Sequence, residues 1–133
     1  GANLESLMPV FMKLGAKGIA PEEKKLQDAM LRIRYAAVPV VAAVRGMALG
    51  GGCELAVHCA RRVAAMESYM GLVEVGVGLL PGGAGTKEFA VRLSDSFFEG
   101  DVQIPTLVEK FKTIALASVA TSASAWPNSS QVA

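Results

Sequence analysis

One histidine, two cysteines and eight aromatic residues are all that this chain of 133 residues holds of those types. So few imidazoles and thiols, with no acids at ligand spacing, exclude a metal centre of the usual kinds. Cys53 and Cys59 lie six positions apart on one predicted helix. That spacing matches no zinc pattern and does not bring two sulfurs within bonding distance. Both are expected to be reduced core thiols. An excess of one charge is also missing. Thirteen basic and twelve acidic side chains leave a net charge of +1, with the signs interspersed. There is no electrostatic footprint for nucleic acid and no basic amphipathic stretch for a membrane surface. The longest apolar stretch, 36–57, is broken by Pro39, Arg45 and Glu54. A membrane-spanning helix needs roughly 20 apolar residues without such breaks. The opening Gly1-Ala2-Asn3-Leu4-Glu5 lacks the basic and apolar regions of a secretory leader. It also lacks an initiator methionine, so the opening is expected to be either a residue of cloning or the start of an internal piece of a longer protein. A reducing, cytoplasmic setting is expected.

What the chain does have is small residues. It contains 21 alanines and 14 glycines, and 52% of it is apolar. That is enough for one domain with a core, and it favours close backbone packing over large aromatic contacts. Apolar residues at Leu4, Leu7, Met8, Phe11 and Met12 predict a helix over 4–12. Residues 15–20 read as a loop, and Pro21-Glu22-Glu23 as the start of a helix running to Tyr35. Residues 40–44 form a continuous apolar run, the pattern of a strand buried on both faces. A glycine turn follows at 50–52, then a helix over 53–60. Residues 62–66 predict a second strand and 68–71 a short extended piece. A loop rich in breakers covers 76–85. Helices are predicted over 86–93 and 106–119, with a loop at 94–105 that tucks Phe97 and Phe98 inward. The tail from Thr121 reads as frayed. Strands alternate with helices, which predicts an α/β fold.

The chemistry concentrates between Val40 and Thr86. Two glycine-rich turns each border a carboxylate: Glu54 follows Gly50-Gly51-Gly52 after one residue, and Glu74 precedes Gly76-Val77-Gly78. Amides entering a helix have no intrahelical acceptor and can hold a developing oxyanion. A plain strand-to-helix turn needs the same glycines. Glu54 reads either as a first-turn acid facing the helix dipole or as a reacting group. Glu74 sits in the apolar run 72–75, either solvated at a strand end or partly buried with a raised pKa. Together the two acids suit an acid/base pair, one holding a proton near neutral pH while the other stays ionised. Other motifs fail. Gly76-Val77-Gly78 lacks the third glycine of a dinucleotide fingerprint, and Gly85-Thr86-Lys87 inverts the Lys-Thr order of a phosphate loop. His58 has no serine elbow to serve and reads as a helix-surface or packed residue.

The stretch Pro39 to Ala56, with its Gly50-Gly51-Gly52-Cys53-Glu54, resembles the enoyl-CoA hydratase/isomerase (crotonase) family. So does the stretch Tyr69 to Thr86, with Glu74, Pro81-Gly82-Gly83 and Gly85-Thr86. The resemblance is strong over 1–93, with a helical piece at 94–120 and the tail at 121–133 beyond it. It implies part of a crotonase-type ββα spiral core with surrounding helices. It implies Glu54 and Glu74 as catalytic acids and the backbone N–H groups of Ala2 and Gly51 as an oxyanion hole. Gly50, Gly52, Pro81, Gly82 and Gly83 would line the substrate. Asn3 stands where the family usually has Asp.

The implied reaction is reversible addition of water to a trans-2-enoyl-CoA in fatty-acid β-oxidation. Glu74 is favoured as proton donor and Glu54 as the water-activating partner. Arg34-Tyr35-Ala36, Val38-Pro39, the 60–65 segment and the 119–123 segment resemble the crotonase portion of bacterial fatty-acid oxidation proteins. Those proteins also carry a 3-hydroxyacyl-CoA dehydrogenase region. The partner implied is an acyl-CoA thioester, with CoA part of the substrate and no cofactor in this chain. NAD would bind only in a dehydrogenase region elsewhere in a parent chain. A homo-oligomer, or association with the remainder of that parent, is expected. The rival readings are an enoyl-CoA isomerase or CoA-thioester hydrolase of the same fold, and a catalytically silent fragment or subunit-docking piece.

Overall fold

The computed structural model describes residues 3–125. Two helices open it. α1 (Leu4–Leu14) starts at Asn3, whose Oδ1 accepts the amides of Glu5 at 3.1 Å and Ser6 at 3.4 Å. This is the usual service of an N-cap asparagine. α2 (Ala16–Arg34) follows after one residue, Gly15, with φ at 60°. The loop expected at 15–20 is therefore a single glycine, and Pro21 lies inside α2 rather than at its start. Tertiary contact explains the difference. A Cβ on Gly18 would stand 2.6 Å from Leu14 Cβ, so the bare glycine lets the first turn of α2 pack directly on α1.

The central part repeats one unit twice. β1 (Val41–Val44) and β2 (Met47–Leu49) lead into α3 (Gly51–His58). β3 (Arg61–Ala64) and β4 (Tyr69–Gly71) lead, through a 3₁₀ turn at Glu74–Val77, to α4 (Gly85–Ser94). β1 pairs parallel with β3, Val41 opposite Arg61, and β2 pairs parallel with β4, Met47 opposite Tyr69. Parallel pairing needs a crossover, and α3 supplies it. The corner between the two sheets is tied by Tyr69 N donating to Gly46 O at 2.8 Å and Ser68 Oγ donating to Val44 O at 3.2 Å. β2 escapes sequence reading because three residues carry no period of their own; its pairing with β4 is what makes it a strand.

β1 is not buried on both faces, as its apolar run predicted. Val41 and Ala43 are exposed and Ala42 and Val44 half-buried. Only the face toward α3 is covered among the described residues, so the run lies at a one-sided sheet. The core is Cys53, Ala56, Val57, Met70, Leu72 and Phe89, with Ala42, Ala48, Ala64 and Ile114 packed around it. Phe97 is half-buried, but Phe98 is 79% exposed and does not tuck inward. α5 (Gln103–Ala115) starts three residues before its predicted start, with Pro105 in its first turn, where proline is tolerated. After it the chain returns to pair Ala120 antiparallel with Met70. Ala123 is buried and its amide donates to Met66 O at 3.1 Å. The part of the expected frayed tail up to Ala125 is therefore docked; the rest lies outside the described residues.

The C-terminal end of α3 is held by ions. Glu88 of α4, fully buried, pairs with Arg92 Nε at 2.7 Å and Arg34 Nε at 3.0 Å. Arg92 also donates to the carbonyls of Val57 at 2.7 Å and Cys59 at 3.1 Å. One carboxylate thus joins α2, α4 and the end of α3. Removing one partner of a buried ion pair leaves charge uncompensated and typically costs roughly 3–5 kcal/mol. Glu88→Gln is expected to lose stability on that scale, read as a lower urea midpoint at unchanged slope.

Candidate active site

The site gathers at the N-terminal end of α3. Gly50 precedes the helix with φ at 55° and ψ at −127°, a conformation that glycine reaches without Cβ strain. Its amide donates to Gly71 O at 2.9 Å, which fastens the start of α3 to the end of β4. α3 therefore begins at Gly51, two residues before its predicted start. Gly51 and Gly52 occupy its first turn, where backbone amides have no partner within the helix. A Cβ on Gly50 would stand 3.2 Å from Glu74 Oε1. Glu74 thus lies against the mouth of α3, carried there by the 3₁₀ turn that follows β4.

Glu54 sits one turn into α3 and is 2% exposed. Its Oε1 accepts the amide of Gly85 at 2.9 Å and its Oε2 accepts that of Gly83 at 3.1 Å. The loop 81–85 closes over it so tightly that a Cβ on Gly83 or Gly85 would collide with the carboxylate or its stem. Leu26 of α2 packs against the same loop, and Gln27 Nε2 donates to Gly82 O at 2.8 Å.

Burial pushes the Glu54 carboxyl above the ordinary glutamate range, the Gly85 amide pulls it back, Glu74 raises it and Gly83 again lowers it. Glu74 is raised by burial, with the backbone amides of Glu74 and Val73 pulling it back. Its Oε2 is buried without a hydrogen-bond partner among the described residues. Cys53, fully buried, is pushed up to about 12, first by burial and then by Glu74 and Glu54. His58 is packed rather than on the surface: it is fully buried, with Nδ1 2.7 Å from Glu54 O. Among the described residues no group of three or more His, Cys, Asp or Glu is placed to hold a metal ion, and no helix is long and apolar enough to cross a membrane.

The expected site residues fall into two groups. Gly50, Gly51, Gly52, Glu54 and Glu74 meet at the head of α3. Pro81 is buried in the covering loop, and Gly82 and Gly83 face protein: the Gly82 carbonyl is taken by Gln27 and the Gly83 amide by Glu54. Ala2 lies outside the described residues. Sequence reasoning missed Gln27 and Gly85. Gln27 carries no motif, and its partner is 55 residues away.

Two measurements follow from the charges. A carboxyl raised in the folded state contributes stability that is complete below the ordinary carboxylate pKa and is lost as pH rises through the raised value. Glu74→Gln removes that loss. Its Tm is expected to exceed that of the unmodified chain at about pH 8, and the gap is expected to shrink toward about pH 5. Cys53 and Cys59 are free and buried, and burial raises both thiols. Neither is expected to react with a thiol reagent at neutral pH until the chain is unfolded, and rapid titration of either in the folded chain would contradict the burial.

Known proteins are similar to this chain in sequence and in fold. The sequence model of the enoyl-CoA hydratase/isomerase family matches residues 13–107. A Bacillus subtilis protein named "Probable 3-hydroxyacyl-CoA dehydrogenase" is 47% identical over 100 residues, 75% of this chain and 12% of its own length. The human mitochondrial methylglutaconyl-CoA hydratase is 43% identical over 75 residues, 56% of this chain and 22% of its own. The crystal structure of an enoyl-CoA hydratase from Polaromonas sp. JS666 superposes with a TM-score of 0.78 at 26% identity, covering 99% of this chain and 46% of that one. The chain thus spans a minor part of each relative. Its matched span includes both carboxylates and both glycine turns, and its two parallel β-pairs with their helices are a partial crotonase-type spiral: the chain belongs to the enoyl-CoA hydratase/isomerase family.

Proposed function

We propose that this chain is the catalytic portion of an enoyl-CoA hydratase, which adds water reversibly to a trans-2-enoyl-CoA. The observation that carries the reading is the placing of one buried and one half-buried carboxyl, both raised by burial, beside the amides that open α3. The Gly51 N–H would hold the thioester oxygen, with the Ala2 N–H as second donor by resemblance. Such donors act on the charge that develops as the enolate forms.

The division of labour follows from the partners of each acid. Glu54 has both oxygens bonded to amides, and each oxygen keeps a second acceptor site. It can hold a water in one orientation and take its proton. Glu74 has an oxygen with no hydrogen-bond partner among the described residues, and burial favours its neutral form, so it suits the proton donor. In the forward direction the water oxygen bonds to the β-carbon. The double-bond electrons move to the α-carbon and thioester oxygen, then the α-carbon takes the proton of Glu74. Glu54 is left protonated and Glu74 ionised, and proton exchange through solvent restores both.

The product is a 3-hydroxyacyl-CoA, the substrate class in the name of the Bacillus subtilis relative. This supports a multifunctional parent, with any NAD site outside this chain. The exposed apolar residues of the uncovered sheet faces, Val41, Val63 and Met47, suit burial against the remainder of such a parent or another copy.

The test is hydration of crotonyl-CoA, followed as loss of enoyl thioester absorbance. Glu74→Gln and Glu54→Gln are each expected to slow it by about 10²–10⁴-fold. Loss in only one of the two would favour an isomerase working through a single acid. An unmodified chain that neither hydrates nor binds the thioester would overturn the reading.

A further inference from the structure

Gly82 C=O and Gly83 N–H belong to one peptide group, and its two ends are used by two different helices. The carbonyl accepts from Gln27 Nε2 of α2 at 2.8 Å. The N–H donates to Glu54 Oε2 of α3 at 3.1 Å. The peptide is flanked by glycine on both sides, so neither side chain resists its rotation. Rotated by half a turn, it would aim a carbonyl oxygen at the Glu54 carboxylate and its N–H at α2. Glu23 of α2 also borders this peptide: its Oε1 stands 2.5 Å from where a Gly82 Cβ would be. Only the observed arrangement presents an N–H to Glu54.

We propose that Gln27 is a positioning residue that latches the Gly82–Gly83 peptide in the arrangement that orients Glu54. A donor on the carbonyl blocks rotation sterically and electrostatically. It also polarises the peptide, which strengthens the N–H as a donor to the carboxylate, since hydrogen bonds in a chain reinforce one another. Gly85, donating to the other oxygen at 2.9 Å, cannot replace this alone: with one bond the carboxylate can still swing about its Cγ–Cδ axis. Two bonds fix both its plane and its direction, and so the direction in which its remaining acceptor sites face the bound water. The role of Glu54 here rests on the hydratase reading; the latch itself does not.

Gln27→Glu is the sharpest probe. It keeps the shape, removes the donor when ionised, and offers an acceptor to a rotated N–H. Two readouts separate the claims. By amide hydrogen exchange, Gly83 is expected to exchange roughly tenfold faster or more in this variant, with β1 and β3 amides unchanged. In crotonyl-CoA hydration, kcat is expected to fall roughly tenfold or more with KM little altered. Gln27→Lys keeps a donor and is expected to stay near the unmodified chain in both. Gln27→Ala, which adds no charge, supplies the same test should Gln27→Glu unfold.

Unchanged Gly83 exchange in Gln27→Glu and Gln27→Ala would overturn the latch. Faster exchange with unchanged kcat would overturn its part in positioning. An unmodified chain with a protected Gly83 amide but no hydration would instead strike the hydratase reading, while the exchange comparison still decides whether Gln27 holds the peptide.

Discussion

The carboxylate of Glu54 is the tie on which the site depends. Burying an ionised carboxylate without partners is prohibitive, and here the chain supplies two backbone donors from one loop. That exchange has consequences in four elements. α3 must point its first turn at the loop. Gly83 and Gly85 must lack side chains, because a Cβ would collide with the acid. α4 must begin at Gly85, whose amide is otherwise one of the unpaired donors of a helix start. α2 must lie where Gln27 and Leu26 back the loop. The unusual residues of the region are largely explained by the need to seat one charge.

α3 is short, eight residues, and is held at both ends by groups outside it. At the head, the Gly50 amide bonds to β4 through Gly71 O. At the tail, Arg92 collects the Val57 and Cys59 carbonyls while paired with Glu88. A helix of this length is marginal by itself; its position comes from these ties and from its buried face of Cys53, Ala56 and Val57. The small side chains at that face let the helix lie close on the sheets. Closeness has an electrostatic effect as well. It brings Glu54 and Glu74 into a region poor in water, where burial favours the neutral form of both and Glu74 adds to the effect at Glu54.

Much of the site was legible in the chain. The glycine turns and the two acids stand out because glycine and a lone carboxylate in an apolar run are locally unusual, and their spacing is shared with a family. α4 was legible within a residue at each end, since its period and flanking breakers are local. The elements that were misread depend on contacts between distant residues. β2 exists through pairing with β4, the start of α2 through the fit of Gly18 on α1, and the one-sided exposure of β1 through what does and does not cover it. Gln27 belongs to the same group: a glutamine off the apolar face of a helix carries no mark of the peptide it holds.

By itself the sequence determined which residue types were available, where the backbone could turn through positive φ, and which two acids stood beside those turns. Those are local properties of covalent structure and sterics, and they hold before the chain folds. The tertiary structure decided what each acid experiences. Glu54 became a caged carboxylate and Glu74 a half-buried one with an oxygen that no described residue bonds, because burial and the direction of a few amides are set by segments 20 to 55 residues apart meeting in space. Charge state and orientation depend on that surrounding field, which no stretch of sequence carries alone.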